Sequence, residues 1–230
     1  MREFLILKLQ GPMQAWGEHT FEGLRPSANF PTRSGVLGLL GACLGIRRND
    51  RARLQQLADS IGMAVRVDER RLLRKDGTSH PLRMVKMTDY HTIKDARVDY
   101  AGLKSHETIQ TWREYLYDAE FTVAIWTYPN AAVNLDELEA KVKRPDFTPY
   151  LGRRSCPLAH PLFQARLEAS DALEALKEIL PQGGTVYSDE KASGKAEIRM
   201  KRVRDVPLIH QPRQFAGRNL YIYGGEHVPE

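Results

Sequence analysis

Apolar residues along this chain arrive in short blocks, and the spacing inside each block decides what it predicts. "FLILKL" (4–9) is apolar and strand-forming and is then broken by "QGP", so it predicts a buried strand. Residues 11–33 scatter Gly, Pro, Asn and aromatic side chains without a period. They predict a long ordered loop, a length that compact domains keep for a purpose. "SGVLGLLGACLGI" (34–46) has helical spacing with Ser34 placed as N-cap, and "RARLQQLADSI" (51–61) continues it. "MAVRVD" (63–68) and "AEFTVAIWTY" (119–128) predict two more core strands, and "NLDELEAKVK" (134–143) a helix opened by Asn134.

The middle of the chain follows no such simple rule. Residues 69–83 are basic and turn-rich, with "KDGTSHP" as a turn signal. "MVKMTDYHTI" (84–93) and "HETIQTWREY" (106–115) then predict two extended runs joined as a hairpin arm. As a strand, the second run puts Glu107, Ile109, Thr111, Arg113 and Tyr115 on one side and His106, Thr108, Gln110 and Trp112 on the other. Neither side is cleanly apolar, whereas a half-buried strand sorts its residues at period two. The arm is expected to meet water or a polar partner on both faces. A helix also fits, since Ile109, Trp112 and Leu116 fall on one helical face.

Strand, helix, strand, arm, strand, helix is the order of a ferredoxin-like (RRM-like) βαββαβ domain with a protruding β-hairpin thumb. The expectation is an α+β protein with that domain over 1–150 and the thumb at about 84–116. Past "RPDFTPYLGRRSCPLAHP" the composition shifts to one helix (171–180) and short strand-like runs, predicting a smaller β-rich domain over 151–230.

Composition adds bounds. With 42% hydrophobic and 27% charged residues the chain is an ordinary globular protein. Its 34 basic against 29 acidic residues give +5, which permits a polyanionic partner without requiring one. Cys43 and Cys156 sit in unrelated contexts, so no disulfide framework is expected and a reducing, cytoplasmic setting fits. The N-terminal apolar run is too short for a signal peptide or a membrane span.

Several motifs could carry chemistry. Glycines 35, 38, 41 and 45 recur at helical spacing; tight packing on the sheet explains them better than close approach of a nucleic-acid backbone. "PTRSG" sets Arg33, Ser34 and free amides at a helix N-terminus, which suits either an anion or a plain cap, and it lacks the Lys-Ser/Thr ending of a P-loop. "YLGRRSCP" presents Arg153 and Arg154 after a glycine, for phosphate or for internal salt bridges. Cys156 and His160 lack a second ligand pair nearby, so no metal is expected. Tyr90, His91, Lys104, His106, Gln110, Trp112, Arg113 and Tyr115 combine stacking surfaces, donors and charge as single-stranded RNA recognition does. His106, Lys104 and Tyr90 could instead form a metal-independent ribonuclease site, though nothing in their spacing enforces it.

Long segments in one order go further. "LILKLQGPMQAWG", "PTRSGVLGLLGACLGI", "DYHT", "GLKSHETIQTWREYL", "FTVAIW", "PYLGRRSCPLAHPLF" and "PRQFAGR" resemble the type I-E members of a family of CRISPR RNA-binding subunits. That family, within the RAMP superfamily, grips the 5′ handle of crRNA in the Cascade complex. The resemblance implies a noncatalytic assembly subunit without cofactor, touching crRNA, the adjacent Cascade backbone subunit and the large subunit that recognises the PAM. It also gives the ribonuclease alternative a precedent, because relatives in other subtypes cut repeat RNA themselves. Matched motif by motif, it implies that Arg113 of the thumb faces RNA and that Lys104, His106 and Gln110 touch RNA or a neighbouring subunit. Met13, Gln14, Trp16, Arg33, Ser34, Arg153 and Arg154 would line the handle-binding surface.

Overall fold

The computed structural model describes residues 1–18, 20, 23–94, 108–192, 199–211 and 214–224. Strand β1 (Arg2–Gln10) opens the chain. The long loop after it carries four two-residue strands, β2 (Met13–Gln14), β3 (Trp16–Gly17), β4 (Leu24–Arg25) and β5 (Ser27–Ala28). Helices α1 (Arg33–Cys43) and α2 (Arg51–Ser60) lead into β6 (Ile61–Val67). A small hairpin, β7 (Arg70–Leu73) and β8 (Ser79–Leu82), precedes the arm strands β9 (Val85–Lys94) and β10 (Thr108–Tyr117). Then come β11 (Glu120–Thr127), α3 (Leu135–Lys143), β12 (Phe163–Ala169) and α4 (Ala172–Lys177). Strands β13 (Val186–Ser188), β14 (Arg199–Pro207) and β15 (Phe215–Tyr223) complete the described elements.

Seven strands form one sheet in the order β12-β1-β11-β6-β13-β15-β14. Its first four members, in chain sequence β1, β6, β11, β12, lie side by side as fourth, first, third, second, and each neighbouring pair is antiparallel. That is the strand order of a βαββαβ unit. The fold is α+β, the class read from the sequence. The C-terminal part of the chain supplies β12 to one edge and β13, β15 and β14 to the other, so the sheet is continuous across the 150/151 boundary. The physical reason is the edge of β6, whose open backbone groups are paired by β13 through Val186 to Ser188.

Helices cover both faces of the sheet, which is why β1 reads as an unbroken apolar run. Leu5, Leu7 and Leu9 join Val123, Ile125 and Met63 under α1, α2 and α3. Phe4 and Ile6 point the other way, to Ala64, Ala124, Trp126 and the apolar side of α4. Gly62 lies directly across from Trp126, where a Cβ would come within 2.2 Å of the indole.

The N-cap of α1 is Thr32, two residues earlier in the chain than expected; its Oγ1 accepts from the Gly35 amide at 3.3 Å. Ser34 sits inside the helix. The glycines of α1 divide by role. Gly35 makes room for the Trp16 ring, Gly41 for the leucines of α2, and Gly45 ends the helix at φ +66°. Gly38 is exposed with nothing within 4 Å of its Cβ position.

Candidate nucleic-acid interface

The arm is a strand pair and not a helix. Thr108–Tyr117 pairs antiparallel with Val85–Lys94 over ten positions, from Thr108↔Lys94 to Tyr117↔Val85. Its base is fixed, because β10 also pairs with β2 and β4 and buries Tyr115 and Leu116 in the core. Two expected wet faces become two different surfaces. One face carries Ile109, Thr111, Arg113 and Tyr115, with Thr111 and Tyr115 buried; the other leaves Thr108, Gln110 and Trp112 exposed.

On the exposed face, Trp112 stands opposite Tyr90 with ring centroids 5.5 Å apart, and both rings are about half open to solvent. Leu24 lies beside Trp112 in the parallel β4–β10 register and is also exposed. Together they make an apolar ledge with flat π surface, flanked by Gln110 and Thr92.

Arginines gather on the other face. Arg113 donates from Nε to Thr111 Oγ1 at 3.1 Å. Arg25 is its partner in the β4–β10 register, with Nη1 donating to the Leu24 carbonyl at 2.9 Å. Arg153 reaches in from its loop, donating to the Glu114 carbonyl at 3.1 Å and the Arg25 carbonyl at 3.0 Å, with its guanidinium 4.7 Å above the Tyr115 ring. That loop is held close by Gly152 at φ +86°, where a Cβ would fall 1.8 Å from the Ala15 carbonyl. Two nearby carboxylates lie closer to other side chains. Asp89, directly across from Arg113, lies 2.6 Å from His91 Nε2, and Glu114 pairs with Lys86 at 3.2 Å. Among the described residues no carboxylate pairs with Arg113 or Arg153.

The other residues singled out from the sequence fall elsewhere. Gln14 is fully buried: its amide donates to the Leu9 and Ala119 carbonyls at 3.2 and 2.6 Å, and its oxygen accepts from Trp16 Nε1 at 3.0 Å. Trp16 is equally buried against α1, and Met13 packs half-buried on the same core. These three side chains hold the loop in place, and Gln14 and Trp16 present no surface to a ligand. Arg33 is also withdrawn. Its guanidinium meets Asp189 at 2.5 Å and donates to the Ala58 and Ile61 carbonyls at 3.0 and 2.8 Å. The anion at the start of α1 belongs to the protein, since Asp205 accepts from the Arg33 amide at 2.8 Å. Ser34 is half-buried, with its hydroxyl 3.4 Å from Thr32 Oγ1. Gln110 and Arg154 are exposed. Lys104 and His106 lie outside the described residues. Arg25 escaped sequence reasoning, because a two-residue parallel contact leaves no periodic signal, whereas Tyr115, counted there among the stacking residues, is buried beneath Arg153.

Comparison with known proteins then decides the lineage. Residues 4–221 match the family model of the CRISPR-associated protein Cas5. The chain belongs to the Cas5 family. It is 55% identical over 225 residues to the CRISPR system Cascade subunit CasD of Escherichia coli (strain K12), covering 98% of this chain and 97% of that one. Among solved structures, this Cas5 chain is similar to one in a CRISPR RNA-guided surveillance complex, with TM-score 0.70 and 27% identity, over 96% of this chain and 89% of that one. A crystal structure of a Cas protein aligns with TM-score 0.63 and 27% identity, over 96% and 93% of the two chains. Among the described residues of this Cas5 protein no helix is long and apolar enough to cross a membrane.

Proposed function

We propose that this Cas5 protein is a noncatalytic Cascade subunit that holds the 5′ handle of a crRNA between its arm and the Arg153 loop. One observation carries the reading: among the described residues Arg113 and Arg153 stand at the arm without a carboxylate partner, while Arg33, Arg66 and Arg218 are each neutralised inside the protein. Arg153 is held by hydrogen bonds to two carbonyls and Arg113 by one to a hydroxyl, so both keep their charge available, and the guanidinium fork suits phosphate oxygens. The Tyr90–Trp112 ledge adds a stacking platform for an unpaired base. Phosphate contacts then supply affinity and position, and base contacts supply choice of handle. The family lineage supports the same reading, and it extends to contacts with the adjacent backbone subunit and the large PAM-recognising subunit. No ribonuclease step is assigned to the chain.

The test is one incubation of purified protein with end-labelled CRISPR repeat RNA in EDTA. Retention on a filter with no new product is expected, and Arg113→Ala combined with Arg153→Ala should weaken retention at least tenfold. A discrete cleavage product, or full retention by the double variant, sinks the proposal.

A further inference from the structure

Strands β7 and β8 pair with each other in a two-stranded sheet of their own. An isolated hairpin is marginal in water, yet this one is well built. At its tip the Asp76 carboxylate accepts from the Thr78 amide at 2.9 Å and its hydroxyl at 2.6 Å, and those bonds hold the Asp76 carboxyl below its usual range. Gly77 takes φ +83°, and the Arg74 amide donates to the Thr78 carbonyl at 2.8 Å. At its foot Arg70 is tied to Glu120 at 3.3 Å. The element is therefore ordered without being covered.

Leu72 and Leu82 share one face, and Leu73 occupies the other, from the register Arg70↔Leu82 and Leu72↔His80. All three are exposed, Leu73 by 72%, and the neighbouring Met84 and Val85 are exposed too. Five large apolar side chains open to water within residues 72–85 are a cost the free fold does not need. With leucines on both faces, folding the hairpin back onto the body could cover only one of them.

We propose that the β7–β8 hairpin is a docking element that seats Leu72, Leu73 and Leu82 in an apolar groove, rimmed by carboxylates, on a partner protein of the same complex. The charge favours such an occupant. Residues 69–83 hold five basic side chains, Arg70, Arg71, Arg74, Lys75 and Arg83, against two acidic ones, Glu69 and Asp76. The Asp76 carboxylate is turned to Thr78, and Glu69 lies 4.0 Å from Arg71. Leucine, valine and methionine offer no π face, and no Phe, Tyr or Trp occurs from 69 to 89, so the surface suits protein and not bases. It also runs directly into the arm, since β8 ends at Leu82 and β9 begins at Val85.

The inference rests on the reading of the chain as a subunit of a larger assembly, and its test keeps the two apart. Leu72→Glu, Leu73→Glu and Leu82→Glu are combined in one chain, which is co-expressed with the other protein subunits of its complex. The urea midpoint and RNA retention of the isolated variant should equal those of the wild type, because the three leucines belong to neither core. Co-purification with partner proteins should fall at least tenfold. Undiminished co-purification overturns the inference, as does a wild-type chain that recovers no partner. A photo-cross-linker placed at Leu73→Cys in the assembled particle should yield an adduct with protein. An adduct with RNA alone, or with a second copy of this chain, overturns it as well. Failure of the handle-binding reading would instead appear in RNA retention by the isolated wild-type chain.

Discussion

Arg33 and Asp189 meet 2.5 Å apart, both nearly buried, and so join the start of α1 to the chain just past β13. Arg218 adds a second guanidinium to Asp189 and also grips Asp205 at 2.7 Å, and Asp205 in turn caps the Arg33 amide. Burial pushes the Asp189 carboxyl up, against the pull of both arginines and of the Met63 amide that donates to it. This closed network is a structural joint between the first helix and the C-terminal strands.

Removing one member of a buried ion pair leaves the other charge without compensation. Arg33→Ala is therefore expected to destabilise the fold by ~3 kcal/mol, the low end of such losses because Arg218 stays on Asp189. Urea titration measures this. RNA affinity per folded molecule should be unchanged, and a selective loss of RNA binding in a fully stable variant would return Arg33 to the RNA surface.

Arg113 and Arg153 should behave in the opposite way. Neither is paired with a carboxylate among the described residues, so Ala at either position removes a positive charge without orphaning a buried one. Each substitution should cost about 1 kcal/mol or less of stability and lower the steepness of salt-dependent RNA binding by roughly one counterion. Filter binding across a salt series reads the slope directly. Arg153→Ala has the larger structural component, since it forfeits two carbonyl contacts and the Tyr115 ring.

The contrast between these arginines marks how far sequence alone carries. The strands around β1, the α1–α2 pair and the Asn134 cap follow from local spacing, and the structure places them within a few residues of the expected bounds. Burial of a charge is not local. Arg33 is neutralised by a carboxylate 156 positions away, and the buried Gln14 amide has its donors satisfied by the carbonyls of Leu9 and Ala119. The motif "PTRSG" looks like an anion site because it is one, filled from within by Asp205. Arg25 was invisible for the complementary reason: its position beside Arg113 is made by a two-residue contact between distant strands.

Trp112→Ala separates stacking from charge. If a base lies on the Tyr90–Trp112 ledge, truncation should cost about 1–3 kcal/mol of RNA binding while leaving the salt slope as in the wild type. Stability should change little, because nearly half of the ring is already open to solvent. Unchanged affinity would confine RNA to the arginine face.

Cys43 provides a probe of opening. It is fully buried at the C-terminal end of α1, and burial pushes its thiol up to about 12, with Asp146 adding to the rise; burial raises the Cys156 thiol as well. Only the thiolate attacks an alkylating reagent, and a raised pKa removes it at ordinary pH. The folded chain at pH 8 should therefore label slowly at both positions, with rates that rise along the urea unfolding curve. Rapid labelling of native protein would mean that the α1 side of the core opens locally.

The glycines of α1 supply a test in which one substitution type should change sign along a single helix. At Gly35 a Cβ would sit 2.7 Å from the Trp16 ring, which is fully buried and held by its bond to Gln14. Ala there gains up to ~1 kcal/mol of helix propensity but forces the ring or the helix to shift, a strain that costs about 1–3 kcal/mol. Gly38 faces open space, so Ala collects the propensity gain with nothing to oppose it. Gly35→Ala should lower the thermal midpoint and Gly38→Ala raise it by a few degrees. Equal shifts in both would mean that the Trp16 contact imposes no constraint on α1, and that the loop bearing Met13, Gln14 and Trp16 is not braced by that helix.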